Sequence, residues 1–163
     1  MNSKVKELIN VQVNKEFYSA YLYFDFANYY YGKGLDGFGH WFDEQAKEEL
    51  EHGEKLRSYL YDNGEEVELL PIEKPDKKIS SIKDPLVMAA EHERVVTDLI
   101  HGIYKAAQQA DDFRTMVFMQ WFVEEQMEEE KNADALVSRY ELFAGDGKGL
   151  QSLDKELSSR DED

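Results

Sequence analysis

Glu49 and His52 stand three residues apart in KEELEHGEKL, residues 47–56. On a helix that spacing puts a carboxylate and an imidazole on one face. Here it is the face that otherwise carries Phe42, Ala46, Gly53, Leu56 and Leu60. The same interruption recurs three times. Glu16 breaks the stripe Val5, Ile9, Gln12, Ser19, Tyr23, Phe26/Ala27, Tyr30, and Glu93 breaks Leu86, Ala89, Val96, Ile100, Ile103/Tyr104, Ala107. Gln126 and Glu129 break Met116, Met119, Phe122, Ala133, Leu136, Tyr140, Phe143. Carboxylate oxygens with one imidazole suit iron, manganese or zinc better than magnesium or calcium. Gly53, beside His52, is expected to leave room for such a layer.

Each piece alone has an ordinary explanation, since an acidic helix produces Glu-x-x-His by chance. The coincidence of heights is more demanding. Counted from Gly34, Glu16 lies 18 residues before the turn and Glu49 15 after it. Counted from Asp111, Glu93 lies 18 before, and Gln126 and Glu129 lie 15 and 18 after. In antiparallel hairpins equal counts mean equal height, about 22–27 Å from each turn. Burying several ionised carboxylates in one layer costs several kcal/mol each unless they are compensated. No Lys or Arg falls on any stripe. Shared protons would neutralise some of the acids, and a pair of multivalent cations would compensate all of them.

The elements that must position these residues are all helical. The i, i+3, i+4, i+7 pattern marks four long helices at roughly 3–31, 36–62, 84–110 and 111–144, with Asp84 and Asp111 as N-caps. A shorter amphipathic piece at about 150–158 follows a glycine-rich break and precedes the polar tail RDED. Short turns join the first two helices and the last two. About twenty residues containing Pro71 and Pro75 separate the pairs. Twenty extended residues reach about 66 Å, enough to run the length of a 27-residue helix of about 40 Å. The expected fold is all-α: one domain over 1–163, an antiparallel four-helix bundle with one long crossover between the second and third helices, plus a short fifth helix.

Bulk composition agrees. The chain has 163 residues, 42% of them hydrophobic, which is too much core material for disorder. Its 35 acids against 19 bases give a net charge of −16, which disfavours nucleic acid and anionic membranes as partners and favours cations. The absence of cysteine excludes thiolate-bound zinc and iron–sulfur clusters and fits a cytoplasmic location.

Several stretches make the chain resemble the non-haem bacterial ferritins over essentially its full length. They are residues 14–23 (NKEFYSAYLY), 48–52 (EELEH), 91–93 (EHE), 120–130 (QWFVEEQMEEE) and 153–157 (LDKEL). The resemblance implies ferroxidase activity, oxidation of Fe²⁺ by O₂ or H₂O₂, and storage of ferric mineral in a 24-subunit shell. Carried over by position, it implies a di-iron centre with Glu16 and His52 on one iron. Glu93 would hold the other, with Glu129 nearby as a further metal ligand, Glu49 would bridge the two, and Gln126 would lie alongside. Tyr23 would hydrogen-bond from behind the ligands and serve as a candidate electron donor. A possible third iron would involve Glu48, Glu125 and Glu128, sharing Glu129.

Departures from related patterns narrow the family. The fourth helix reads Gln126-x-x-Glu129 where symmetric di-iron proteins carry a second Glu-x-x-His, and Leu50 stands where bacterioferritins place their haem-binding Met, so no haem is expected. Two alternatives stay open: a non-storage, peroxidase-like di-iron carboxylate oxidoreductase of small oligomeric state, and a metal-free bundle with partly protonated acids.

Overall fold

Asn2 opens the first helix, its side chain accepting from the backbone N–H groups of Lys4 and Val5 at 3.0 and 3.3 Å. In a computed structural model describing residues 1–161, that helix is α1 (Ser3–Gly32). It is followed by α2 (Asp36–Asp62), α3 (Asp84–Gln109), α4 (Phe113–Phe143) and α5 (Gly147–Leu157), with no strand among the described residues. Glu162 and Asp163, the end of the polar tail, lie outside the described residues. α1 packs on α2 and α3 on α4, the two hairpins meet through α1 and α3, and α5 lies against α2 and α4. This is the expected four-helix bundle with a fifth helix.

The crossover, residues 63–83, runs along α1. Asn10 and Asn14 both donate to the Glu68 carbonyl, at 3.1 and 3.0 Å, and accept from the N–H groups of Glu68 and Leu70 at 2.8 Å each. Two amide side chains one helical turn apart therefore satisfy backbone groups that an extended segment would otherwise leave bare. At the far end Tyr30 donates to the Ile82 carbonyl at 2.7 Å. The twenty residues from Asn10 to Tyr30 span about 30 Å of helix, so the connection reverses direction without intruding on the core.

Three boundaries differ from expectation. Asp111 is not the N-cap of α4: it takes a left-handed conformation with φ of 51°, and Asp112 caps the helix by accepting from Thr115 N at 3.1 Å. Asp84 lies inside α3, and its carboxylate accepts instead from the N–H groups of Ser80 and Ser81, closing the turn that leads in. α5 begins three residues earlier than the glycines suggest, because Asp146 caps it at Gly149 N, 2.7 Å away. Gly149 is required there, since a methyl group would overlap the Phe143 carbonyl oxygen. The stripe of α4 also ends short of Phe143, which is 58% exposed.

Apolar side chains form two buried clusters. One contains Tyr23, Phe26, Tyr30, Phe38, Phe42 and Leu136, and is closed by Leu153 and Leu157 of α5. The other contains Val5, Ile9, Leu56, Ile100, Met119 and Phe122. Between them lies a buried polar layer drawn from all four long helices.

Candidate metal centre

Glu16 from α1, Glu49 and His52 from α2, Glu93 from α3, and Gln126 and Glu129 from α4 are all buried, none more than 5% exposed. Helix periodicity places each on the inner face, and the two hairpins place them at one level. Ligand atoms of Glu16, Glu49 and His52 lie within 4.8 Å of one another, and so do those of Glu49, Glu93 and Glu129. Glu49 belongs to both groups, so two adjacent sets share one carboxylate. A third set, His52, Glu125 and Glu129, adjoins them on the outer side. Glu48 and Glu128 belong to none of these sets but line the same cleft, of about 580 Å³, as Glu125 and Glu129.

Neutral side chains hold the acids in place. Gln12 donates to Glu16 at 3.0 Å. Gln45 donates to Glu129 at 2.5 Å and reaches Glu49 at 3.4 Å. Tyr23 donates to Glu93 Oε1 through a short hydrogen bond. Gln126 donates to Glu93 Oε2 at 3.1 Å and is close to Thr97 Oγ1 at 3.2 Å. Gln126 thus braces a neighbouring carboxylate. Among the described residues two buried side-chain atoms have no hydrogen-bond partner, Glu16 Oε2 and His52 Nδ1, the latter standing 3.4 Å from Glu49 Oε2. Both belong to the first set, and an unpartnered buried polar atom is costly unless something else binds it.

The electrostatics state the same deficit. Burial raises Glu49 well above the usual carboxyl range, and Glu93 and Glu16 raise it further. Burial likewise pushes Glu93 up to about 7 and, with Glu93 beside it, Glu129 up to about 8. Burial alone would lower His52, but Glu125 and Glu49 outweigh it and raise His52 to about 12. Without a cation the layer holds protons that carboxylates at the surface would release. Tyr23 is raised well above its usual value, first by burial and then by Glu93.

Gln45, Thr97 and His92 also join the layer, although none of them interrupts an apolar stripe. Gln45 lies one turn before Glu49 and is buried, but sits beside rather than on the stripe through Ala46. His92 accepts from or donates to Ser19 at 2.8 Å and packs edge-on against Tyr23. Burial, with Lys77 and Lys15 nearby, holds it down to about 4. Gly53 is corrected: a methyl group there would come within 2.5 Å of the Phe17 ring, so the missing side chain accommodates an aromatic neighbour and not the polar layer.

A family model described as a ferritin-like domain matches residues 6–143. A probable bacterial non-haem ferritin-like protein of Haemophilus influenzae is 33% identical over 159 residues, covering 98% of this chain and 96% of that protein. A bacterial non-haem ferritin of Campylobacter jejuni is also 33% identical, covering 98% and 95%. Among solved structures, an open-pore ferritin from the hyperthermophilic archaeon Archaeoglobus fulgidus superposes with a TM-score of 0.96 at 40% identity, covering 99% of each chain. With its five helices and its full-length matches, the chain belongs to the ferritin family.

Proposed function

We propose that the chain is a ferroxidase and iron-storage subunit, working in the cytoplasm as part of a 24-subunit shell. Its substrates are Fe²⁺ and O₂ or H₂O₂. The observation that carries this reading is the buried layer with two overlapping ligand sets, in which Glu16 Oε2 has no hydrogen-bond partner and His52 Nδ1 has only the Glu49 carboxylate, 3.4 Å away. Glu16, Glu49 and His52 take one Fe²⁺, and Glu49, Glu93 and Glu129 take the other.

The chain's own residues account for binding and proton movement. Entry of a divalent cation displaces the protons held on Glu49, Glu93 and Glu129, since a nearby positive charge favours the ionised carboxylates. Tyr23 and Gln126 hold Glu93, Gln45 holds Glu129 and Gln12 holds Glu16, so each carboxylate is aimed before metal arrives. The paired substrate ions supply the redox chemistry. Two Fe²⁺ give up one electron each, and O₂ takes both with two protons to become H₂O₂. Hydrolysis of the two Fe³⁺ by water then gives oxyhydroxide and releases six protons. The outer acids Glu48, Glu125 and Glu128, sharing Glu129, receive a third ion; their common cleft supports this part of the reading.

Aerobic Fe²⁺ titration, followed by ferric absorbance and particle size, tests the reading. Rapid oxidation by a particle near half a megadalton that retains many irons per subunit is the expected result. No fast oxidation would overturn the catalytic part. A small oligomer that keeps only its paired irons would overturn storage and favour the peroxidase-like alternative.

A further inference from the structure

Beyond α5 the chain passes the mouth of the polar layer, and Arg160 is the residue that reaches it. Its path is set by α5. Asp154 Oδ1 accepts from Phe38 N at 3.0 Å at the start of α2, and Gly37 lets the α5 backbone approach, because a methyl group would overlap the Asp154 carbonyl oxygen. From there the tail follows one face of α2. His40 Nε2 donates to the Arg160 carbonyl at 2.5 Å, and the Arg160 guanidinium lies 4.5 Å from the Trp41 ring centroid. Arg160 Nη1 donates to the Trp41 carbonyl at 2.8 Å. Nη2 reaches two residues at once, Gln45 Oε1 at 3.1 Å and Glu48 Oε1 at 3.2 Å.

Both contacts bear on the layer. A glutamine amide offers an oxygen on one side and an NH₂ on the other. With its oxygen held by Arg160, Gln45 must turn its NH₂ toward Glu129 and Glu49, as it does. The flipped amide would set an oxygen against a carboxylate and an NH₂ against a guanidinium. The second contact places a fixed positive charge on Glu48 in the cleft that also holds Glu125, Glu128 and Glu129. The other base lining that cleft, Arg139, is paired with Glu156 of α5 at 2.5 Å. Both groups of the Arg160–Glu48 pair are largely sheltered, 17% and 23% exposed, so solvent screens the pair only in part.

We propose that Arg160 is a built-in counter-cation of the outer carboxylate cluster: it competes with a third divalent cation for Glu48 and is a positioning residue for Glu129 through Gln45. The inference rests on the metal-centre reading above and deepens it. With Arg160 seated, the two inner sets fill first and tightly. A cation in the outer cluster gains Glu48 as a ligand only when it displaces the guanidinium, so Arg160 weakens the third position relative to the paired site.

The test uses Zn²⁺, which has no redox step, titrated calorimetrically into the assembled metal-free protein. In wild type a tight pair per subunit is expected, followed by a weaker third ion. Arg160→Gln removes the charge and should tighten that third ion roughly three- to tenfold, the range for a partly sheltered ion pair. Arg160→Lys keeps the charge and should stay within twofold of wild type. Arg160→Gln combined with Glu48→Gln should lose the gain. An unchanged third affinity in Arg160→Gln, or equal tightening in the Lys variant, overturns this inference while leaving the paired site standing. A wild-type protein that binds no tight pair overturns both readings.

Discussion

Glu49 is the residue on which the centre turns, because it is the one acid in both inner ligand sets. In the metal-free protein burial and its acidic neighbours disfavour its charge. Glu49→Gln keeps the shape and removes that penalty, since buried ionic groups are often replaced at no loss or a gain in stability. The expected outcome is a metal-free variant that melts at or above the wild-type temperature but oxidises Fe²⁺ at least tenfold more slowly in stopped flow. A variant that oxidises iron at the wild-type rate would show that Glu49 does not join the two sets. The four acids were legible because each breaks an apolar period, and a break stands out against a regular pattern. Gln45 breaks nothing: it is one polar residue at the margin of a stripe, and only its hydrogen bonds reveal its part. His52 was legible as an inner residue, but the orientation of its two nitrogens was not. Nδ1 faces Glu49 at 3.4 Å and Nε2 faces Glu125 at 3.7 Å.

Among the elements, the two helical hairpins and the crossover followed from turn residues and length, since a chain of about twenty residues between long helices has few other routes. Helix ends were less legible. Asp111 and Asp112 are equally good N-caps by type, and the left-handed turn that selects between them is a backbone property of the closed hairpin. Close packing supplies two predictions. Gly53→Ala forces the new methyl against Phe17 and should destabilise the protein by about 1–3 kcal/mol in denaturant unfolding. A change under about 0.5 kcal/mol would show that the Phe17 ring moves aside at little cost. Gly37→Ala sits where α5 crosses α2. It should release α5 and the tail, seen as rapid proteolytic trimming after residue 146 while the four long helices persist. Resistance equal to wild type would mean that α5 tolerates the shift.

At the scale of the whole molecule, the polar layer between two apolar clusters links stability to pH and to metal. Glu93 and Glu129, raised by burial to about 7 and about 8, and His52, raised to about 12, bind more protons folded than unfolded above their ordinary values. A folded state that binds the extra protons loses stability as pH rises. His92, held down to about 4, has the opposite sign, but its contribution is complete by about pH 6.5. With about two extra protons on the folded state, chelator-treated protein should therefore lose roughly 2–3 kcal/mol of stability per pH unit from about pH 6.5 to about 8. Zn²⁺ should abolish that slope and release protons on binding. A melting temperature that rises over this interval would contradict the burial of protonated acids. No helix among the described residues is long and apolar enough to cross a membrane. Exposed apolar residues such as Val95, Val117 and Met127 lie on the outer faces of α3 and α4.

By itself the sequence determined which face of each helix turns inward and at what height its polar residues lie, because 3.6 residues per turn converts spacing directly into position. That was enough to bring Glu16, Glu49, His52, Glu93, Gln126 and Glu129 to one level. Only the tertiary structure decided what lies beside that level. The void at Gly53 is filled by Phe17 from another helix, Gln126 turns its amide onto Glu93, and Arg160 reaches Gln45 across 115 residues of chain. None of these is periodic. Each depends on how separate elements dock, which local spacing does not encode, and the cleft over the polar layer is lined on one side by Arg160, beyond any helical pattern.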